Sequence, residues 1–215
     1  ETDDLQSVTT AQLVAMTTAQ VASFTTDQTV ALTTGQISNL TTAQLAGMTT
    51  NQVAAMETAD LVVVTTAQLV ALTTAQMVAL TTDQVSNLTT DQLAALTTKQ
   101  VIVLETDDLQ AVTTAQMQTM TTLQMAVLKT AQMVALTTDQ VSNLTTAQLT
   151  AFTSLQVAAI ETDDLVAVTT AQLIAMTSAQ VASFTTDQVV ALTTAQVSTL
   201  TTAQLAAMTT KQVAA

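Results

Sequence analysis

Apolar and polar positions along this chain recur every eight residues, in one register from Glu1 to Ala215 with no insertion or deletion. Thr65–Leu72, TTAQLVAL, shows the frame. Position five is Leu, Val, Met or Ile in every octad except one, where Thr29 stands. Position eight is apolar wherever it is present, and positions six and seven are mostly small. The obligatory apolar residues are therefore spaced by three and then by five. A continuous helix cannot keep that stripe on one side, because an octad overshoots two turns of a 3.6-residue helix by about 80°. A long coiled coil is excluded.

A helix that restarts in every octad satisfies the pattern. Position one is Thr except at Glu1, Glu57, Glu105, Lys129 and Glu161, and position four is Gln in twenty-three octads and Asp in four. Thr-x-x-Gln is a capping box, in which the hydroxyl accepts from the third following amide and Gln reaches back to the Thr amide. Position eight of one octad and position five of the next then form a hydrophobic staple, as with Leu72 and Met77 or Leu80 and Val85. The hydroxyl is more constant at position two, always Thr or Ser, which leaves the cap position open between one and two. In the ETDD-type octads the cap is expected to slide to Thr2, Thr58, Thr106 and Thr162, with acids in the first turn where the helix dipole favours them.

Units this short are unstable alone and fold only by stacking on neighbours. The fold class read here is all-α, a solenoid of very short capped helices with one per octad. The alternative is a β-solenoid, suggested by the Thr and Val content and by internal Gln ladders. Two Gly, no Pro and the absence of period-two alternation weigh against it. With two octads taken as one coil and coils stacked at about 10 Å, the chain would extend on the order of 130 Å.

A longer period lies above the first. ETDD-type octads begin at Glu1, Glu57, Glu105 and Glu161, separated by seven, six and seven octads. A Ser-Asn-Leu marker at Ser38, Ser86 and Ser142, with Ser198-Thr199-Leu200 in the same place later, keeps step with them. Two readings stand: duplication of a block, or a superhelical turn of six to seven octads. Glu1 and the truncated last octad suggest that 1–215 is a single continuous array and a fragment of a longer repeat protein.

Composition narrows function chiefly by exclusion. The chain is 48% hydrophobic and 9% charged, too apolar for disorder. Its net charge of −13, with three Lys and no Arg, argues against nucleic acid and anionic membranes as partners. Thr-Thr and Gln interrupt every apolar run well short of the roughly 20 residues of a membrane span. His, Cys, Arg, Tyr and Trp are all absent, removing the usual catalytic bases, nucleophiles and clamps, so the chain is not read as an enzyme. The ten Met fall mainly at positions five and eight, as adaptable core filler.

Two ligand readings compete with a purely structural one. Glu105, Asp107 and Asp108, and again Glu161, Asp163 and Asp164, place three carboxylates within four residues, chemistry suited to Ca²⁺. Glu1, Asp3 and Asp4 repeat the set, whereas Glu57-Thr58-Ala59-Asp60 lacks one acid. The same acids also serve simply to complement helix starts and to keep an array soluble. Regular Thr hydroxyls suggest ice binding, against which the Thr pairs are adjacent and are needed as caps.

The TTAQ(L/V)xAL octads, as in Thr65–Leu72, resemble arrays in very large bacterial secreted proteins of the RTX-adhesin or surface-adhesin type. That resemblance implies export to the extracellular space or cell surface, a stalk, sheath or self-assembling filament, and adhesion or biofilm-matrix roles. It carries over no functional residues, and the calcium-binding Gly-rich repeats of RTX regions are missing here. The expected partner is the same array, by self-association or by continuation of the chain, and no cofactor beyond Ca²⁺ is suggested.

Overall fold

The computed structural model describes residues 2–215, the side chain of Asp3 excepted. Among these residues the chain forms 27 helices of four to six residues, one per octad, and no strand. The fold is thus an all-α solenoid of short helices. Its contacts divide it into two units, Glu1–Ala111 and Val112–Ala215, although the octad register runs on through the boundary.

The restart is visible in the backbone. Met16 at position eight has φ −68° and ψ 146°, and Thr17 at position one has φ −70° and ψ 158°. Two consecutive extended residues turn the chain before position two re-enters the helix. The hinge is therefore the position-eight–position-one junction, one residue earlier than the Thr-Thr step. Thr17 caps the next helix by accepting from the Gln20 amide at 3.2 Å, while Gln20 Oε1 accepts from the Thr17 amide at 2.8 Å. The same reciprocal box recurs in the Thr-x-x-Gln octads. The expected slide of the cap does not occur. Thr58 and Thr162 are the first helical residues, and Glu57 and Glu161 occupy the cap position without a side-chain cap bond. Thr106 likewise opens its helix.

Burial follows the octad. Position five is sealed, as at Leu69, Met77 and Leu93, and position eight nearly so, as at Leu72 and Leu80. Each fully buried Leu contributes about 1.5–3 kcal/mol, which holds in place helices that would fray alone. Met77, Met117 and Met133 are buried as expected. The one polar residue at position five, Thr29, is buried with its hydroxyl donating to the Thr25 carbonyl at 3.0 Å.

Within each unit, helices three octads apart pack together, as Thr18–Ala22 on Thr42–Gly47 and Thr138–Ser142 on Thr162–Ala167. Gln side chains reach octads four back. A turn therefore holds about three and a half octads, not two, and seven octads make about two turns rather than one. At Gly47, in position seven, the chain comes close to position two of the turn below: a Cβ there would lie 3.2 Å from the Thr18 Cβ.

Candidate functional site: the position-four side chains

Position four is where the octad spends its polar chemistry. Gln148 accepts at Oε1 from the Thr145 amide at 3.0 Å, which is its capping role. Its Nε2 donates to the carbonyls of Met117 and Met120 at 2.7 and 2.8 Å, 31 and 28 residues earlier. Gln44 does the same to Leu13 and Met16 at 2.9 and 2.8 Å. One buried amide thus caps its own helix with the oxygen and ties the previous turn with the nitrogen. Both ends of the amide are satisfied, as burial demands. Among the described residues no buried side-chain polar atom lacks a partner.

The acidic octads replace that tie with another. Asp108 accepts from the Thr82 hydroxyl at 3.0 Å, 26 residues earlier, and from the Glu105 amide at 3.2 Å. Asp164 accepts from the Thr138 hydroxyl at 2.6 Å, and Asp60 from the Thr34 hydroxyl. All three carboxyls are buried, and that desolvation pushes each above the usual Asp range, with the Thr hydroxyl pulling the other way. Nearby acids add to the upward push: Glu57 on Asp60, Glu105 and Asp107 on Asp108, and Asp163 on Asp164.

A family model described as the ALTTAQ repeat matches residues 1–34, 30–56, 53–90, 101–138 and 157–194, most of the chain. The chain belongs to the ALTTAQ repeat family. No curated protein matches it in sequence. The structure gives the ALTTAQ hexapeptide a physical meaning. In Ala71–Gln76 it spans the end of one helix, the Leu72–Thr73 hinge and the capping box of the next, so the family signature is the joint rather than the helix.

Against the ALTTAQ pattern the acidic octads are departures, and the structure separates their members. Glu105, Asp107, Glu161 and Asp163 are exposed, whereas Asp108 and Asp164 turn inward to the Thr of the adjacent turn. The three carboxylates of each set do not converge, and no group of three acidic side chains poised to hold a metal is found among the described residues. In the first octad Asp4 is exposed; Glu1 and the Asp3 side chain lie outside the described residues.

The Ser-Asn-Leu octads are the packing partners of the acidic ones. Thr34, Thr82 and Thr138, which serve Asp60, Asp108 and Asp164, stand in the octads that carry Ser38, Ser86 and Ser142. The two markers are one stacked pair, always three octads apart. Position-one hydroxyls are spent on caps, as at Thr65, which also donates to Gln68 Oε1 at 2.8 Å. Position-two Thr such as Thr42, Thr50 and Thr66 remain on the surface. No helix of the described residues is long and apolar enough to cross a membrane.

Proposed function

We propose that this chain is an extracellular structural array, a stalk, sheath or self-assembling filament serving adhesion or matrix, as in the large secreted surface proteins its octads resemble. The observation that carries the reading is the double use of Gln at position four. The side chain best equipped for outside chemistry is consumed in tying each turn to the last. A chain built so has its function in continuity and length rather than in a site. Catalysis has no place in this reading, because the titratable groups that leave the surface, Asp60, Asp108 and Asp164, are engaged by Thr hydroxyls. Self-association or continuation of the array supplies the partner.

Calcium at Glu105, Asp107 and Asp108 and at Glu161, Asp163 and Asp164 is the competing ligand. It draws only on the density of acids, since the geometry splits each set between surface and interior.

A length-bearing array is tested by adding seven-octad blocks and measuring hydrodynamic radius. Growth in proportion to the number of blocks is expected. Growth as the cube root of mass, the behaviour of a compact body, sinks the reading. A melting temperature shifted by calcium and restored by chelation supports the competitor instead.

A further inference from the structure

The Ser-Asn-Leu marker carries a second motif. Asn39-Leu40-Thr41, Asn87-Leu88-Thr89 and Asn143-Leu144-Thr145 each read Asn-x-Thr with no Pro between, the acceptor sequence for an Asn-linked sugar. The chain has one further Asn, Asn51, and Val53 two residues on gives it no hydroxyl. The structure supplies the context that this modification needs. Each of the three Asn closes a helix at its C-terminal end, and each is exposed. The residue between turns inward, since Leu40, Leu88 and Leu144 are all buried. Thr41 and Thr145 come back to the surface beside their Asn, and Thr89 is half-buried.

The helix end also presents the nitrogen. Asn39 Nδ2 donates to the Gly35 carbonyl at 2.7 Å, and Asn87 and Asn143 donate to the Asp83 and Asp139 carbonyls at 2.8 Å. That bond uses one of the two amide hydrogens. The other has at most a long contact, 3.4 Å to the Ser38 hydroxyl or 3.5 Å to that of Ser142. Closing a helix does not by itself call for Asn. At position seven of other octads Ser23, Ser183 and Thr199 close the helix with a hydroxyl, donating to the carbonyl three residues back at 2.7, 2.7 and 2.8 Å. Thr199 does so in the fourth marker octad itself. What Asn adds is an amide nitrogen on the surface.

We infer that Asn39, Asn87 and Asn143 are attachment sites for Asn-linked sugar, taken from an activated glycosyl phosphate. The bond from the anomeric carbon to the phosphate oxygen breaks, and the phosphate leaves with the electron pair. A carbon–nitrogen bond forms to Nδ2, which gives up one proton. The hydrogen that remains keeps its bond to the helix carbonyl, so the sugar is added without undoing the helix end. Thr41, Thr89 and Thr145 supply the hydroxyl of the motif and also cap the following helices, accepting from the Gln44, Gln92 and Gln148 amides. Each sugar falls on an octad whose Thr34, Thr82 or Thr138 engages a buried Asp in place of the usual Gln tie.

The inference rests on the extracellular reading above, since this motif is used in exported chains, but it fails separately from it. The experiment is peptide mapping by mass spectrometry on the chain isolated from the cells that make it, with variants produced in the same cells. Sugar mass is expected on the peptides bearing Asn39, Asn87 and Asn143 and none on Asn51. Asn39→Gln loses the sugar at that site alone. Thr41→Ala loses it with Asn39 in place, whereas Thr41→Ser retains it. Because Thr41→Ala also removes a helix cap, Asn39→Gln, which leaves the cap intact, is the deciding variant, and helical circular dichroism checks that each variant is folded. Three bare Asn overturn the inference, as does sugar found equally on Asn51. Sugar that persists in Asn39→Gln overturns it too, by placing the attachment on a hydroxyl. Bare Asn leave the array reading untouched, since that stands or falls on the growth of radius with added octads.

Discussion

The hydroxyl of Thr138 donates to the buried carboxylate of Asp164 at 2.6 Å, across 26 residues and one turn of the solenoid. Thr82 and Asp108 repeat the bond at 3.0 Å in the other unit. At these octads the solenoid gives up a neutral amide that donates to two carbonyls and accepts a carboxylate that can donate to none. The exchange places a charge where every other octad has a dipole, and burial raises the affinity of that carboxylate for a proton.

Stability should accordingly fall as pH rises. The folded-state pKa values of Asp60, Asp108 and Asp164 lie above the unfolded value, so the folded chain holds more protons in that window. The loss begins as pH climbs through about 3.9 and is complete above the raised folded values. Relief of self-repulsion among −13 net charges acts in the same direction. The chain is expected to melt at a higher temperature near pH 4 than at pH 7. The triple variant Asp60→Asn, Asp108→Asn, Asp164→Asn should lose part of that slope in thermal melts across pH. An unchanged slope would assign the whole effect to surface charge.

Much of this architecture was legible in the octad. The three-and-five spacing excluded a continuous helix, Thr-x-x-Gln gave the capping box, and the apolar positions gave the buried side chains, as at Leu72 and Met77. What stayed hidden is everything that depends on the number of octads per turn, because the targets of Gln148 lie 28 and 31 residues away. Two signals pointed to it. A capping box accepts Glu as readily as Gln, so twenty-three Gln and no Glu at position four mean the amide nitrogen is in use. The Ser-Asn-Leu and acidic octads also keep a three-octad offset even where the longer interval drops from seven octads to six. A packed pair explains that constancy, which block duplication alone does not. Which acid of each triplet faces inward stayed hidden as well, because adjacent residues on a short helix diverge and only a neighbouring turn shows which one it engages.

The double role of Gln gives a contrast between positions. Gln148→Ala removes one capping bond and both ties to the previous turn, stripping the Met120 carbonyl of its Gln donor in the interior while the Met117 carbonyl keeps only the Met120 amide. The expected cost is about 2–4 kcal/mol, from lost bonds and an unsatisfied acceptor. Gln20→Ala removes only the cap contact to Thr17 and should cost about 1 kcal/mol or less. Urea unfolding monitored by hydrogen exchange at the affected turns separates the two. Equal costs would mean that the ties between turns contribute nothing.

Lys129 is the one basic residue at a cap position. Its amide still donates to Gln132 Oε1 at 2.8 Å, but its side chain makes no cap bond, since an ammonium cannot accept from the Gln132 amide. Lys129→Thr restores the missing half of the box. It should stabilise the Thr130–Ala135 helix by about 0.5–2 kcal/mol, read as slower amide exchange at Gln132 and a higher urea midpoint. No gain would show that water already satisfies that amide.

Leu149 and Leu205 hold the same octad position in one unit, the first sealed and the second 45% exposed. Their helices, Thr146–Ala151 and Thr202–Ala207, have the same length and the same capping box, so local propensity cannot distinguish them. The difference lies in the turn that follows, present over Leu149 and missing over Leu205. Leu149→Ala should therefore cost about 2–5 kcal/mol by removing buried surface and leaving a cavity. Leu205→Ala in the isolated chain should cost well under half as much, because its site is already partly open to water. Urea midpoints of the two variants against the parent chain test this. Equal costs at the two sites would mean that the following turn contributes nothing to the burial of position five.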